Sequence, residues 1–191
     1  LVRAWLEGDW NVFVGQYFAS YRAEQVLVDS FEIPSSWPLF AGMDYGESAP
    51  TSFSLYTVDY DGIVYRIFEY YQENRSGSQH ATAINEMVKN CPFTMGRRPQ
   101  TIWVDPSMFT RRRLQSDQVN TSPADVFAEA GLYLTPANND RITGWRNIND
   151  ALIKEKFRIF KGWNRNFERT FPGLPRDPKN PEDVDTAAED H

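Results

Sequence analysis

The stretch Leu39-Phe-Ala-Gly-Met-Asp-Tyr-Gly46 decides how the rest of the chain is interpreted. It is a short apolar run that ends in an acid, Asp44, and then in a turn at Tyr45-Gly46, as is typical of a strand that leaves the core of a sheet. A second run of this kind, Thr101-Ile-Trp-Val-Asp105, also ends in an acid, and Pro106 stops it. The sequence therefore predicts two strands that each carry an aspartate at the carboxyl end.

The segments around these two strands predict a mixed α/β fold. Residues 51–60 and 63–71 are predicted as paired strands, because Asp61-Gly62 between them is a strong hairpin signal. Helices are predicted from Ser76 to about Lys89, after the capping box Ser122-Pro-Ala-Asp125, after a cap at Thr143 and over residues 164–170. Short strands are predicted at 132–134 and 156–160. This order predicts a mixed α/β sheet with a leading antiparallel hairpin and then parallel strands, flanked by helices.

Length and composition limit the class of protein. The chain has 191 residues, 41% hydrophobic and 15% aromatic, which is enough for one well-packed domain. The X-Pro steps at Pro34 and Pro38 favour an irregular arm over residues 1–37 and a compact domain over 38–191. We expect no membrane association, because no apolar run approaches the roughly 18–20 residues that span a bilayer. The chain begins without Met and ends at His191, which suggests a fragment of a longer polypeptide.

Asp44 and Asp105 are the candidate metal ligands. Functional groups gather at the carboxyl ends of strands in α/β sheets, so neighbouring strands would bring both carboxylates to one edge. Two carboxylates there, with no visible Lys or Arg partner, would repel each other unless a cation lay between them. Mg²⁺ or Mn²⁺ is the natural choice, and two such ions can promote phosphodiester cleavage. In the alternative interpretation, each acid is only a turn former or a helix cap.

Several short motifs, in order along nearly the whole chain, resemble the nuclease domain of the large terminase subunit, the DNA-packaging motor of tailed bacteriophages. Trp5–Phe18 is similar to the segment that leaves the family's ATPase domain. The family's first two catalytic strands are similar to Gly42-Met-Asp-Tyr-Gly46 with Pro50-Thr51 and to Ile102-Trp-Val-Asp105-Pro. Arg141–Ile148 is similar to the start of a helix that faces DNA, and Asn180–His191 is similar to the start of the family's third catalytic motif.

The resemblance implies an RNase H-like, RuvC-type endonuclease that cuts concatemeric double-stranded viral DNA when packaging begins and ends, by two-metal hydrolysis with Mg²⁺ or Mn²⁺. Asp44 would bridge both metals and Asp105 would hold one. Asp190 is the nearest third ligand in the chain. In several family members, however, this motif runs Asp-His-x-x-Asp-Ala, which would place the third ligand beyond His191. The implied partners are DNA, an upstream ATPase domain of the same polypeptide, the portal and the small terminase subunit, in the host cytoplasm.

The basic residues supply candidate DNA contacts despite a net charge of −6. They would bind phosphates in a salt-dependent, sequence-independent way, and the alternative is an ordinary solvated surface. The candidates are Arg111, Arg112, Arg113, Lys154, Lys156 and Lys161.

Two other classes of protein stay open at this point. Another RNase H-like nuclease, of the resolvase, transposase or integrase type, would use the same acids, and a non-catalytic α/β binding domain would use neither. ATP hydrolysis by this chain is disfavoured because the Gly-x-x-x-x-Gly-Lys-Ser/Thr motif is absent. His80 is expected to be structural or solvated, and the single cysteine, Cys91, is not expected to be a catalytic thiol.

Overall fold

The computed structural model describes residues 15–47, 49–113 and 120–185. Within these ranges the main sheet has seven strands, which are β1 (Leu27–Val28), β2 (Leu39–Asp44), β3 (Thr51–Val58), β4 (Val64–Gln72), β5 (Thr101–Val104), β8 (Thr135–Pro136) and β9 (Phe157–Phe160). Their order across the sheet is β1-β9-β4-β3-β2-β5-β8. Two further short strands, β6 (Arg112–Arg113) and β7 (Asn120–Thr121), pair with each other outside this sheet.

The directions of the strands confirm the predicted mixed sheet. β2, β3 and β4 form an antiparallel meander, and Asp61-Gly62 lies in the predicted turn between the last two. β5 runs parallel to β2 and β8 parallel to β5 on one side, while β9 runs parallel to β4 and β1 parallel to β9 on the other. Both strands that end in an acid therefore lie next to each other, and β8 covers the outer side of β5.

Helices cover both faces of the sheet. They are α1 (Ala23–Val26), α2 (Gly77–Lys89), α3 (Pro123–Glu129), α4 (Arg141–Ile153) and α5 (Arg165–Thr170), with 3-10 turns at Pro106–Phe109 and Phe171–Gly173. Side chains alternate along β2, so Ala41 and Met43 enter the core beneath α2 and α3. Phe40 and Gly42 face the other way, towards α4 and α5.

Two predicted helix starts are confirmed by reciprocal hydrogen bonds. Ser76 and Gln79 form a capping box at α2, and Ser122 and Asp125 form one at α3. The predicted cap at Thr143 is wrong. Asp140 caps α4, because its carboxylate accepts hydrogen bonds from both the backbone N–H (3.2 Å) and the hydroxyl (2.7 Å) of Thr143.

The strand predicted at residues 132–134 is also misplaced. Gly131 has a φ of 78°, the left-handed conformation that ends many helices, and Leu132 N donates to Phe127 O at 2.9 Å. The backbone N–H of Leu132 thereby completes the end of the helix, and its side chain is buried in the core. Pairing with β5 begins three residues later, where Thr135 lies opposite Trp103.

The described part of the predicted arm packs into the domain. Tyr17, Phe18 and Tyr21 are buried in the cluster that includes α4 residues, and β1 extends the sheet beside β9. Ile33 N donates to Phe93 O at 2.7 Å. Residues 15–37 thus contain the short α1 and β1 among irregular stretches, and they contribute to the core. The division at residues 37 and 38 stays a prediction.

The described residues include no helix that is both long enough and apolar enough to cross a lipid bilayer.

Candidate active site

Asp44 and Asp105 lie at equivalent points of two neighbouring parallel strands. Asp44 is the last residue of β2, and Asp105 directly follows β5. Met43 lies opposite Val104 in the register, so the two acids come next to each other at the carboxyl edge. Both are exposed, and the alternation of the strands puts them on the same face of the sheet. The fold therefore brings together the two acids that the sequence singled out.

Local hydrogen bonds hold Asp105 in place. It caps the 3-10 turn Pro106–Phe109, and its Oδ1 accepts from Ser107 N at 2.7 Å. The side-chain and backbone hydrogen bonds from Ser107 outweigh the opposing effect of burial and lower the pKa of the Asp105 carboxyl from its usual value. Asp105 is consequently an oriented carboxylate at neutral pH.

The loop that follows Asp44 is folded tightly on itself. A Cβ atom on Gly46 would lie 2.2 Å from Ala49 O, so only glycine fits there without a shift of the backbone. Gly46 N donates to Thr51 Oγ1 at 3.3 Å, and the same hydroxyl donates to Gly46 O at 3.4 Å. These bonds return the chain to the sheet, where Ser52 pairs with Asp44.

A narrow cleft lies beside this loop. It has a volume of about 160 Å³ and is lined on one side by Tyr45 and Glu47 and on the other by Ser122, Pro123 and Phe127. The ring of Tyr45 packs edge-on against Phe127, with 5.4 Å between the ring centroids. The position of the Asp44 loop therefore depends on the helix face beneath it.

The two acids fit part of a site for a hard divalent cation. Carboxylate oxygens are the ligands that Mg²⁺ and Mn²⁺ prefer. Among residues 15–47, 49–113 and 120–185, however, no group of three or more His, Cys, Asp or Glu side chains is placed to hold a metal ion. The predicted third ligand, Asp190, lies outside the described residues.

Asp183 lies in the described part of the C-terminal segment, and its carboxylate already accepts strong hydrogen bonds. It accepts a hydrogen bond from Arg141, at the start of α4, and another from Val184 N at 2.8 Å. Burial raises the pKa of this carboxyl, but those hydrogen bonds and the Arg141 charge outweigh burial and leave the pKa below its usual value. Asp183 therefore anchors the C-terminal segment to α4.

The predicted DNA contacts fall in different parts of the molecule. Arg111, Arg112 and Arg113 come soon after Asp105, and the last two form β6, which pairs with β7. Arg111 is exposed. Hydrogen bonds with Ser122, and to a smaller extent the charge of Arg111, lower the pKa of Asp125. These three arginines come soon after the carboxyl end of β5 in the chain, where Asp105 lies.

The three lysines lie elsewhere. Lys156 Nζ donates to Asp61 O, in the β3–β4 turn, at 2.8 Å, and Lys154 Nζ lies 3.7 Å from Asp150 Oδ2. Lys156 directly precedes β9, at the edge of the sheet opposite to Asp44. Lys161 follows β9, which is separated from β2 by two strands. The strand directions place Lys156 away from the acids, whereas Lys161 follows the carboxyl end of β9 and so lies at their edge of the sheet, three strand positions from β2.

His80, which the sequence marked only as structural or solvated, is almost fully buried, with 1% of its surface exposed. Its ring contacts Thr51 and Tyr70, directly behind the Asp44 loop. The signal that could have placed His80 on the buried face of α2 is its position four residues before Ile84, but no local pattern shows that this face lies behind the loop.

Comparisons with known proteins give the fold. No family model matches the chain, and neither does any curated protein. The nuclease domain of the phage P22 large terminase is similar, with a TM-score of 0.69 at 15% identity over 90% of this chain and 84% of that domain. This chain has the fold of a large terminase nuclease domain.

Two further terminase structures extend the comparison. The large terminase of a thermophilic bacteriophage, in complex with ADP, has a TM-score of 0.70 at 19% identity. The similarity covers 88% of this chain but only 39% of that ADP-bound terminase. The large terminase nuclease of the thermophilic phage G20c, with bound cobalt, has a TM-score of 0.55 at 11% identity over 88% and 86% of the two chains. The predicted RNase H-like terminase fold is thereby confirmed.

Proposed function

We propose that this chain is a metal-dependent endonuclease domain that cuts double-stranded DNA. The observation that carries the proposal is the pair Asp44 and Asp105, side by side on one face at the carboxyl ends of two parallel strands. The fold is that of terminase nuclease domains, and the similar G20c nuclease binds cobalt, a divalent metal. Together these features favour phosphodiester hydrolysis over a purely structural role for the acids.

The two acids would hold Mg²⁺ or Mn²⁺, Asp44 between two ions and Asp105 on one of them, with Asp190 or a residue after His191 as the third ligand. When bound, the ions would supply activation of the attacking water and neutralisation of charge on the leaving oxygen. The chain itself contributes orientation. Ser107 fixes Asp105, and the tight turn at Gly46 fixes the loop after Asp44.

Arg111, Arg112 and Arg113 are proposed to bind the phosphate backbone on the flank of the site. Contacts to phosphates position DNA without reading its sequence, and they weaken as salt rises. Lys154 and Lys156 remain weaker candidates, because they already interact with Asp150 and with the β3–β4 turn. Lys161 remains a candidate at the carboxyl edge of the sheet, three strand positions from β2.

The biological context is proposed from the same likeness. The chain would cut concatemeric viral DNA at the start and end of genome packaging, in the cytoplasm of the host. It would work beside an ATPase domain of the same polypeptide, with the portal and the small terminase subunit as partners. The ADP-bound large terminase is more than twice as long as the region similar to this chain, which is consistent with a second domain.

A non-catalytic binding domain is the competing function, since Asp105 does cap a turn. Nicking of supercoiled plasmid in Mn²⁺ or Mg²⁺, with a chelator control, distinguishes the two. We expect Asp44→Asn to abolish nicking. Asp61→Asn is the matched control, because it removes one exposed acid at the opposite edge of the sheet and keeps a hairpin-forming turn.

The metal gives a second measurement. Mn²⁺ should raise the melting temperature of the wild type and of Asp61→Asn, because a ligand that binds only the folded state stabilises it. The shift should disappear in Asp44→Asn. Persistent cleavage by purified Asp44→Asn would contradict the assignment of the site.

A further inference from the structure

A chain of buried hydrogen bonds connects α2 to the loop that follows Asp44. His80 Nδ1 lies 2.8 Å from the Tyr70 hydroxyl, and His80 Nε2 lies 3.2 Å from Thr51 Oγ1. Thr51 is itself fully buried and bonded to both the N–H and the C=O of Gly46. Arg75 Nη1 reaches the Tyr70 hydroxyl at 3.5 Å. The chain therefore runs from a surface arginine to the second residue after Asp44.

One arrangement of protons satisfies the whole chain. The Thr51 hydroxyl donates its single proton to Gly46 O, so its oxygen is left to accept from Gly46 N–H and from His80 Nε2–H. A neutral His80 with its proton on Nε2 has Nδ1 free to accept from the Tyr70 hydroxyl. The Tyr70 oxygen in turn accepts from Arg75, which has no acceptor atom of its own.

The second face of His80 also supports the loop. The ring of Tyr45, the residue directly after Asp44, packs edge-on against the His80 ring, with centroids 6.1 Å apart. The His80 ring thus contacts the loop twice, once through Tyr45 and once through Thr51. A buried side chain with both nitrogens bonded can hold its neighbours in one arrangement, since any rearrangement leaves a buried polar group without a partner.

We propose that His80 is a positioning residue for the active site, which holds Tyr45 and Gly46 and thereby the direction of the Asp44 carboxylate. The inference rests on the proposed nuclease function. His80 does not touch DNA or metal in this scheme. It acts through Thr51 and Gly46.

Two buried threonines of β3 give a matched test. Thr51 and Thr57 are both fully buried and lie near opposite ends of β3. Each hydroxyl donates to a backbone carbonyl. Both Thr51→Val and Thr57→Val should lower the melting temperature, Thr51→Val by more because it also removes the acceptor for Gly46 N–H and His80 Nε2–H, so nicking is compared at a temperature where both variants are folded. Only Thr51→Val should slow nicking, by about 10-fold to 100-fold, because small displacements of reacting groups are costly.

His80 itself is tested with a rescue pair. His80→Phe keeps an aromatic ring but removes both nitrogens, whereas His80→Gln can still donate to Thr51 and accept from Tyr70. We expect His80→Phe to lower kcat about 10-fold or more with unchanged affinity for DNA in a chelator, and His80→Gln to restore much of the loss. A role in folding alone would move stability without this pattern.

A measurement without metal or DNA keeps this inference separate from the nuclease proposal. Hydrogen exchange at Gly46 N–H, followed by NMR, should be faster in His80→Phe than in the wild type and close to wild type in His80→Gln. Unchanged exchange at Gly46 in a folded His80→Phe variant would overturn the inference, and so would faster exchange with wild-type nicking. If the wild type fails to nick DNA, the proposed function fails and the exchange data still decide whether His80 holds the loop.

Discussion

Replacement of Gly46 by alanine should separate the geometry of the site from its chemistry. The new methyl group would meet only backbone atoms, with Ala49 O at 2.2 Å, Ala49 C at 2.6 Å and Pro50 O at 2.8 Å. Ordinary contacts of this kind begin at 3.4 Å. No side chain can move away to relieve the overlap, so the loop itself has to open by about 1 Å, a distortion of the kind that costs about 1–3 kcal/mol.

That displacement has two measurable consequences. In a chain of this length, 1 kcal/mol corresponds to about 2–4 °C in melting temperature, so we expect a decrease of roughly 2–12 °C. A misplacement of about 1 Å at a reacting group can cost about 100-fold in rate. Gly46 is two residues from Asp44, so we expect Mn²⁺-dependent nicking to fall by about that factor at a temperature where the variant is fully folded.

Gly42→Ala is the matched control, because Gly42 lies two residues before Asp44 and nothing lies within 4 Å of its added Cβ atom. Alanine in a strand interior is favoured over glycine by roughly 0.5–1 kcal/mol, so this variant should be at least as stable as the wild type. It should also nick DNA at the wild-type rate. Equal activity of folded Gly46→Ala and Gly42→Ala would refute the argument that the tight turn positions Asp44.

Three further predictions concern stability and are checked by chemical or thermal unfolding. The side chain of Glu69 is only 7% exposed, pairs with Arg66 at 3.4 Å and accepts from two backbone N–H groups at the start of α5. Glu69→Gln should therefore cost about 3 kcal/mol, and a loss below about 1 kcal/mol would contradict this. Burial, followed by the charge of a nearby arginine, lowers the pKa of His80, so the unfolded state takes up the proton first as the pH falls below about 6.5. Stability should therefore decrease with acid by up to about 1.4 kcal/mol per pH unit from this residue, and His80→Gln should show a shallower slope. The pKa of Asp183 is lowered, so its stabilising effect is present at neutral pH and lost as the pH falls through the folded pKa. Asp183→Asn should cost only about 1 kcal/mol at neutral pH, because Arg141 is half exposed and water screens the pair, and the difference from the wild type should vanish in acid.

The strands and their terminal acids could be predicted because they depend on local patterns. Asp44 and Asp105 each end an apolar run, and Asp61-Gly62 specifies its turn with two residues. The same reasoning misplaced a strand at 132–134, where Leu132 and Leu134 are apolar for a different reason. Gly131 turns the chain there, and Leu132 packs into the core as part of the helix end.

Proximity between distant segments could not be predicted from local patterns. Nothing in residues 1–37 shows that Tyr17 and Phe18 pack against α4, since their partner Trp145 is far along the chain. For the same reason, the sequence grouped Lys156 with the arginines as a DNA contact, although topology places it at the opposite edge of the sheet from Asp44. A cluster of basic residues in the sequence shows only local composition, whereas the position of each of them on the folded surface depends on the order and direction of the strands.

Asp105 shows why a structural and a functional interpretation of one acid can both hold. Its Oδ1 accepts from Ser107 N–H, so it is a cap, as the simpler interpretation of the sequence required. A carboxylate has two oxygens with several lone pairs, however, and the hydrogen bonds from Ser107 do not exhaust them. The cap also fixes the rotation of the group, and a ligand that is already fixed loses less freedom when it binds. The hydrogen bond that makes Asp105 a turn former would therefore also prepare it to hold a metal ion.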